Sequence, residues 1–312
     1  MSTTQTQQRD GKTFGDRLRS INLSRVGDYL FVVPAMVFVV AILLYPLGYQ
    51  LYMSVYGVTL GNFLAGNAPF VGLEQYREVA TDSRFHHALW ITLVFTVSCL
   101  VFQFTIGLAL ALFFNRAFPG GGIMRALMLL GWMIPLVVSG NLWRWMLNGQ
   151  YGVINLLLNV GPLDLGRDWL TGPTTALIGV IVANIWVGIP FNMVLLLAGL
   201  QGIPLTLYEA ARVDGANPVQ RFFYITLPQL RPVIIIVLLL GFIYTFKVFD
   251  LIFVMTAGGP VSATEVLPIY IYDIFFEFFR FGQGAAASIL VLVLPILLSV
   301  FYLRLLRREE AS

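Results

Sequence analysis

Charge is what this chain has least of. Asp, Glu, Lys and Arg make up 11% of its 312 residues, against roughly a quarter in soluble domains, while hydrophobic residues reach 58%. Together with a mean hydropathy of +0.82, this excludes an ordinary soluble domain and points to an integral membrane protein. Cysteine is almost missing as well. Cys99 stands alone inside an apolar run, so no intrachain disulfide and no cysteine-based metal site can form, and it reads as a small core residue. The two histidines, His86 and His87, lack carboxylate or thiol company at ligand spacing and read as interfacial residues. No G-x-x-x-x-G-K-[ST] phosphate loop is present, so ATP hydrolysis by that motif is not expected here. The apolar runs hold no paired acids and no nucleophile–base set, which ranks a membrane-embedded enzyme last. A net charge of +3 is too small to argue for nucleic acid.

What the chain does have is long apolar runs. Six reach the length of about 20 residues that a bilayer requires: Tyr29 to Val55, Leu89 to Phe114, Ala126 to Leu147, Thr174 to Leu200, Pro232 to Ala257 and Ala285 to Leu303. The predicted fold is all-α, a polytopic membrane protein with six transmembrane helices. The polar tail before the first run carries Arg9, Lys12, Arg17, Arg19 and Arg25. It is too long and too charged for a secretory signal, and no A-x-A pattern follows, so the first run is expected to stay as an anchor. With that tail in the cytoplasm, Arg116, Arg125, Arg212, Arg221, Arg231, Arg304, Arg307 and Arg308 fall on the same side. Only Arg77, Arg84, Arg144, Arg167 and Arg280 fall outside, and Lys247 lies within a run. The excess places both termini in the cytoplasm.

One segment between the fourth and fifth runs does not match its surroundings: EAARVDGANPVQRFFYITLP, residues 209–228. Pro204 suits a first helical turn, and Leu207, Tyr208 and Ala211 share one face. Asp214-Gly215 is a stop, glycine tolerating a left-handed C-terminal cap. Asn217 can cap a second helix, with Pro218 at its first position and Gln220 completing a capping box. Val219, Phe222 and Phe223 form an apolar stripe, and Pro228 is expected to end the element. Such a bent pair of short amphipathic helices can offer a knob to a cytoplasmic partner or merely seal the end of the bundle. Shape alone leaves both readings open.

The residues themselves favour the first. Glu209-Ala210-Ala211, then Gly215, Ile225 and Leu227-Pro228 resemble, position by position, the EAA signature of ABC importer permeases. Further stretches are similar to the carbohydrate branch of that family, the MalF- and UgpA-like components. These are Phe70 to Tyr76 (FVGLEQY), Ile134-Pro135 through Trp143, Gly152 and Asn155, the Thr256-Ala257-Gly258-Gly259-Pro260 turn followed by Thr264, and the small residues Gly282 and Ala285 to Ala287. The resemblance implies a coupling helix docked on a cytoplasmic ATPase, with Glu209 facing a basic group there, Gly215 allowing the bend, and Ala210, Ala211, Asp214, Ile225, Leu227 and Pro228 completing the element. It implies no cofactor on this chain, with ATP and Mg on two separate nucleotide-binding subunits. A second, different permease chain and an extracytoplasmic solute-binding protein would complete an importer in a bacterial or archaeal cytoplasmic membrane. The expected layout is a cytoplasmic tail over 1–28, a first span and outer segment over 29–88, a permease core over 89–305 with its coupling loop at 201–230, and a second tail over 306–312. Some relatives insert a domain outside, for which Tyr56 to Ala88 is too short.

A solute pathway needs polar interruptions inside the spans. The fourth run holds Asn184, Trp186, Gly188, Pro190, Phe191 and Asn192, and the fifth holds Tyr244, Thr245, Lys247 and Asp250. Proline bends the helix, glycine admits a ligand close to the backbone, and aromatic faces beside amides suit sugars. Ordinary helix packing is the plain alternative for Trp186 and Phe191. By the resemblance, Trp186, Gly188, Phe191, Gly241, Tyr244, Thr245 and Val248 would contact the sugar, although Thr245 and Val248 stand where asparagines are found in the family. Lys247 and Asp250, three apart, are candidates for an ion pair, for solute contact, or for a proton relay. The rival function is a secondary transporter driven by an ion gradient, with Asp250 as its intramembrane acid. No internal repeat supports it.

Overall fold

The computed structural model describes residues 32–159 and 166–310. The N-terminal tail with Arg9 to Arg25, the first residues of the first run and the last two residues of the chain lie outside the described residues. Every regular element among the described residues is helical, and the only β contact is an isolated bridge between Tyr56 and Phe70. In chain order these are α1 Val32–Ser54, α2 Leu60–Phe63, α3 Glu74–Thr81, α4 Ser83–Phe114, α5 Gly121–Met133, α6 Leu136–Met146, α7 Val153–Leu158, α8 Pro173–Gln201 and α9 Leu205–Val213. They continue with α10 Pro218–Phe246, α11 Asp250–Thr256, α12 Leu267–Tyr272 and α13 Phe281–Glu310. Five helices, α1, α4, α8, α10 and α13, are long and apolar enough to cross a membrane, and α5 with α6 makes a sixth if the bent pair counts as one.

The chain divides into two compact units at Met53/Ser54. The segment that follows Met53 is held within the second unit by close contacts. Gly282 at the start of α13 donates to the Val58 carbonyl at 3.0 Å, and Gln75 of α3 donates to the Tyr56 carbonyl at 2.5 Å. A Cβ at Gly282 would run into both Tyr56 and Gln75, so glycine permits this close approach. The segment between α1 and α4 is thereby bound to the helices that follow it.

α4 and α8 share the most extensive helix–helix packing in the second unit. Their seam is built from small and medium residues: Cys99, Ala111, Val180, Ala183 and Met193 are all fully buried. Large side chains such as Trp90, Phe102 and Ile178 point outward. In lipid both faces of a helix are apolar, so the interface is chosen by residue size rather than polarity, small residues letting backbones approach.

Three expectations about the elements change. The run Ala126 to Leu147 is not one straight span, because α5 and α6 meet at 96°. Pro135 disfavours helical geometry at Ile134, which sits at ψ 130°, and the helix stops and restarts there. The run Pro232 to Ala257 stops at Phe246, and Phe249 carries the break at φ −121°, ψ −59° before α11 begins. Pro228 does not end its element, since α10 runs through it. A π-helical turn, Phe222–Thr226, comes just before, and the Leu227 N–H reaches the Phe222 carbonyl five residues back. That wider turn moves the Tyr224 carbonyl, which Pro228 would otherwise crowd, out of the α-helical path. α1 uses the same device, a π turn at Val40–Leu44 two residues before Pro46.

At the end of the bundle remote from the 209–228 segment, Arg84 ties three elements together. Its Nε lies 2.6 Å from Glu265 Oε1, and its guanidinium also pairs with Asp273. Glu265 is 1% exposed, and removing one partner of such a buried pair leaves a charge uncompensated. Tyr270 donates to Asp82 at 2.8 Å, and burial together with that carboxylate pushes the phenol above its usual pKa. The loop after α11 closes on itself, with the Thr256 and Thr264 hydroxyls 2.7 Å apart. His87 Nε2 lies 3.0 Å from the Ser262 carbonyl, and His86 Nδ1 lies 2.8 Å from that of Asp82.

Candidate functional site

The 209–228 segment is set by caps. α9 ends at Asp214, and Gly215 adopts φ 79°. The Gly215 N–H bonds the Arg212 carbonyl at 3.1 Å, and the Ala216 N–H bonds the Ala211 carbonyl at 2.8 Å. This is a Schellman closure, which needs a left-handed residue at the glycine. Asn217 then caps α10. Its Oδ1 accepts from the Gln220 N–H at 2.9 Å, and Gln220 Oε1 accepts from the Asn217 N–H at 2.8 Å. Across the bend, the Tyr208 and Thr226 hydroxyls lie 2.9 Å apart. Glu209, Ala210, Asp214, Gly215 and Pro228 are exposed, while Ala211, Ile225 and Leu227 are half-buried. Val213 at 88% and Tyr224 at 80% exposure leave apolar surface on this knob.

The second feature is a cavity of about 430 Å³, within the size range of roughly 300–1,000 Å³ typical of small-molecule sites. α4, α8 and α10 form it together with the breaks after α5 and α10. Gly188, Phe191, Gly241, Tyr244, Thr245, Lys247, Val248 and Asp250 all line it. An aromatic wall runs along one side: Trp132 stacks on Phe191 with centroids 5.6 Å apart, and Tyr244 meets Phe191 edge-on at 5.7 Å. Breaks in the helical path are tolerated inside a membrane where they line a cavity, and both breaks, at Ile134 and after Lys247, do so.

Trp186 is not part of this lining. It packs edge-on to Trp143 at 6.1 Å and against Gly131, because its position turns it away from the Gly188–Asn192 side of α8. Lys247 and Asp250 do not pair. The break at Phe249 removes the helical spacing that would bring positions three apart together. Lys247 Nζ instead lies 5.2 Å from the Tyr244 ring centre. Gly188 also differs from expectation. The space beside its Cα is filled by the Gln103 carboxamide, so the glycine accommodates a neighbouring side chain.

Sequence reasoning missed Gln103, Trp132 and Phe249 as lining residues. Gln103 had a signal, being the lone amide in the run Leu89 to Phe114. Trp132 and Phe249 are brought in by breaks whose direction no spacing rule supplies. Asn155 likewise organises the loop after α6. It donates to the carbonyls of Asn148, Gly149 and Arg167, and accepts from Arg167 and from Trp169 Nε1.

Residues 103–310 match the family model described as binding-protein-dependent transport system inner membrane component. The chain belongs to this family. A member of the family is a transport permease subunit of an ABC importer, and the chain is therefore not itself an enzyme. It is 35% identical, over 88% of its length and 92% of the relative's, to the trehalose/maltose transport system permease protein MalF of Thermococcus litoralis. It is 34% identical to the sulfoquinovosyl glycerol transport system permease protein SmoG of Agrobacterium fabrum, over 95% of this chain and 92% of the other. Among solved structures, a bacterial ABC transporter involved in the import of the acidic polysaccharide alginate matches with a TM-score of 0.80 and 25% identity, covering 94% of this permease and 99% of that chain.

Proposed function

We propose that this permease carries a sugar or sugar-like solute (an oligosaccharide, a polyol or a glycerol phosphate ester) through the cavity between α4, α8 and α10. The observation that carries the reading is the wall of Trp132, Phe191 and Tyr244 set against a floor of amides. Stacked rings suit the C–H face of a sugar, and amides suit its hydroxyls. The printed functions of the relatives, trehalose/maltose and sulfoquinovosyl glycerol transport, support the same class. In this reading Gly188, Phe191, Gly241, Tyr244, Thr245 and Val248 border the pathway, with Lys247 and Asp250 at its edge.

The distribution of basic residues supports a cytoplasmic position for both termini and for α9 with the start of α10. There the exposed knob with Glu209 and Val213 docks on ATPase subunits, which bind ATP and Mg. A second permease chain completes the pathway, and an extracytoplasmic solute-binding protein delivers the solute in a bacterial or archaeal cytoplasmic membrane. A neighbouring transporter whose solved structure is in complex with a pentasaccharide-bound periplasmic protein supports that last partner. The test is co-purification of the tagged chain, with and without Glu209→Ala plus Gly215→Pro, followed by ATPase and uptake assays. An ATPase that travels with the wild type and is lost or uncoupled in the variant supports the reading. Uptake under an ion gradient with no ATPase present sinks it and turns attention to Asp250.

A further inference from the structure

At the knob end of the bundle lies a second cavity, of about 330 Å³, between the last turn of α4, the end of α8, α9 and the first turns of α10. Two spans end here and a third begins, so the cavity sits at the edge of the apolar zone. Its wall is divided. Leu112, Leu200 and Phe222 form an apolar side, while Asn115, Arg116, Arg221 and the bonded hydroxyls of Tyr208 and Thr226 form a polar one. The charge on the polar side has one sign. No acidic residue lines the cavity, and no carboxylate pairs with Arg116 or Arg221 among the described residues. Arg221 is half-buried, and its Nε is shielded from solvent with no partner. Its backbone is fixed from both sides. The Arg221 N–H bonds the Asn217 carbonyl at 3.0 Å, and the Thr226 hydroxyl reaches the Arg221 carbonyl at 3.4 Å. The π turn that follows, Phe222–Thr226, brings both of its end residues into the same wall.

A guanidinium drawn partly out of water without a counter-ion is costly, and its planar fork matches the oxygens of a phosphate. We propose that Arg116 and Arg221 form a phosphate-binding site between the knob and the bundle. The Asn115 amide supplies a further donor. An anionic phospholipid brings this chemistry to the edge of a span, where basic pockets between helices take head groups, and the apolar side suits its glycerol and first acyl carbons. Free phosphate carries the same oxygens from the aqueous side. The Tyr208–Thr226 contact joins α9 to α10 across the bend, so a phosphate held here braces the knob against the end of α4. The site shares no residue with the α4–α8–α10 cavity and stands whether or not that cavity carries a sugar.

The test uses the full complex with its ATPase subunits, purified in detergent. Phosphatidylglycerol is titrated against a phosphatidylcholine background and scored by native mass spectrometry. In a second arm the thermal midpoint is followed in sodium phosphate against sodium chloride at equal ionic strength. Arg221→Gln is compared with Arg125→Gln, which removes a basic residue from the same side of the chain but outside the cavity. Wild type and Arg125→Gln are expected to bind phosphatidylglycerol saturably, and Arg221→Gln about tenfold more weakly, the size of one charge-assisted hydrogen bond. That result assigns the site to lipid. Equal lipid binding in all three, with phosphate raising the midpoint of wild type and Arg125→Gln but not of Arg221→Gln, keeps the site and assigns it to free phosphate. If Arg221→Gln does not assemble, Arg221→Lys, which keeps the charge and loses the fork, and Arg116→Gln are expected to show the same weakening. Responses that do not differ among the variants in either arm overturn the inference. So does an Arg221→Gln complex that sheds its ATPase subunits yet binds lipid and phosphate as wild type does, since the arginine then holds a protein partner.

Discussion

The α9–α10 knob and the α4–α8–α10 cavity are built by different kinds of contact. In the knob, nearly every bond that sets the shape joins residues within five positions: Gly215 to Arg212, Ala216 to Ala211, Asn217 to Gln220. In the cavity the deciding contacts join residues some 80 apart, such as Gln103 to Asn184, or Gly107 to Asn192. A docking element must keep its form while its surroundings move, and local caps provide that. A pathway between helices must change width, and it does so by shifting packed faces, which only non-local contacts can encode.

Substitutions can sharpen this contrast. The largest effect is expected from Gly215→Pro, because proline holds φ near −65° where the chain needs 79°. The Gly215 N–H bond is lost as well. Uptake and solute-stimulated ATPase activity are expected to fall by about 100-fold, consistent with a proline penalty of about 3 kcal/mol, while the thermal midpoint of the membrane core stays near wild type. A core midpoint that collapses with activity would show that the knob is not a separate local unit.

An intermediate effect is expected from Gly188→Ala, whose new methyl meets the Gln103 carboxamide. Overpacking of this kind costs about 1–3 kcal/mol. Adding Gln103→Ala should recover more than half of the loss in thermal stability, a coupling that distant sites do not show. Strict additivity would mean the notch does not hold the helices together. The smallest effect belongs to Asn217→Ala, which removes one cap worth about 1 kcal/mol. It is expected to lower the coupling of ATPase to uptake a few-fold and to leave solute affinity unchanged. If it alters solute affinity as much as Gly188→Ala does, the division between the two regions is wrong.

How much could be read beforehand follows the same line. The capping box at Asn217 and Gln220 and the stop at Asp214-Gly215 were legible, because each depends on neighbours in the chain. The continuation of α10 through Pro228 was not. A π turn redistributes backbone bonds within the helix, and nothing in the residues Phe222 to Thr226 announces one. Lys247 and Asp250 were spaced for an ion pair on a continuous helix, and the break at Phe249 separated them. Trp186 shared its stretch with Phe191, yet their directions around α8 differ, and only the partner helices decide which direction faces a cavity.

The amino-acid sequence by itself determined that this is an apolar, helical, multi-pass chain, and that the polar segment 209–228 is a capped and bent pair. Composition and local hydrogen-bonding geometry suffice for that. The tertiary structure alone decided which faces of uniformly apolar helices meet, where the fifth run breaks, and that Gln103 and Asn192 fill the space beside Gly188 and Gly107. In a membrane the outer face of a helix is as apolar as its inner one, so hydrophobic periodicity carries no direction. Size matching between glycine and amide does, and it exists only once two helices are side by side.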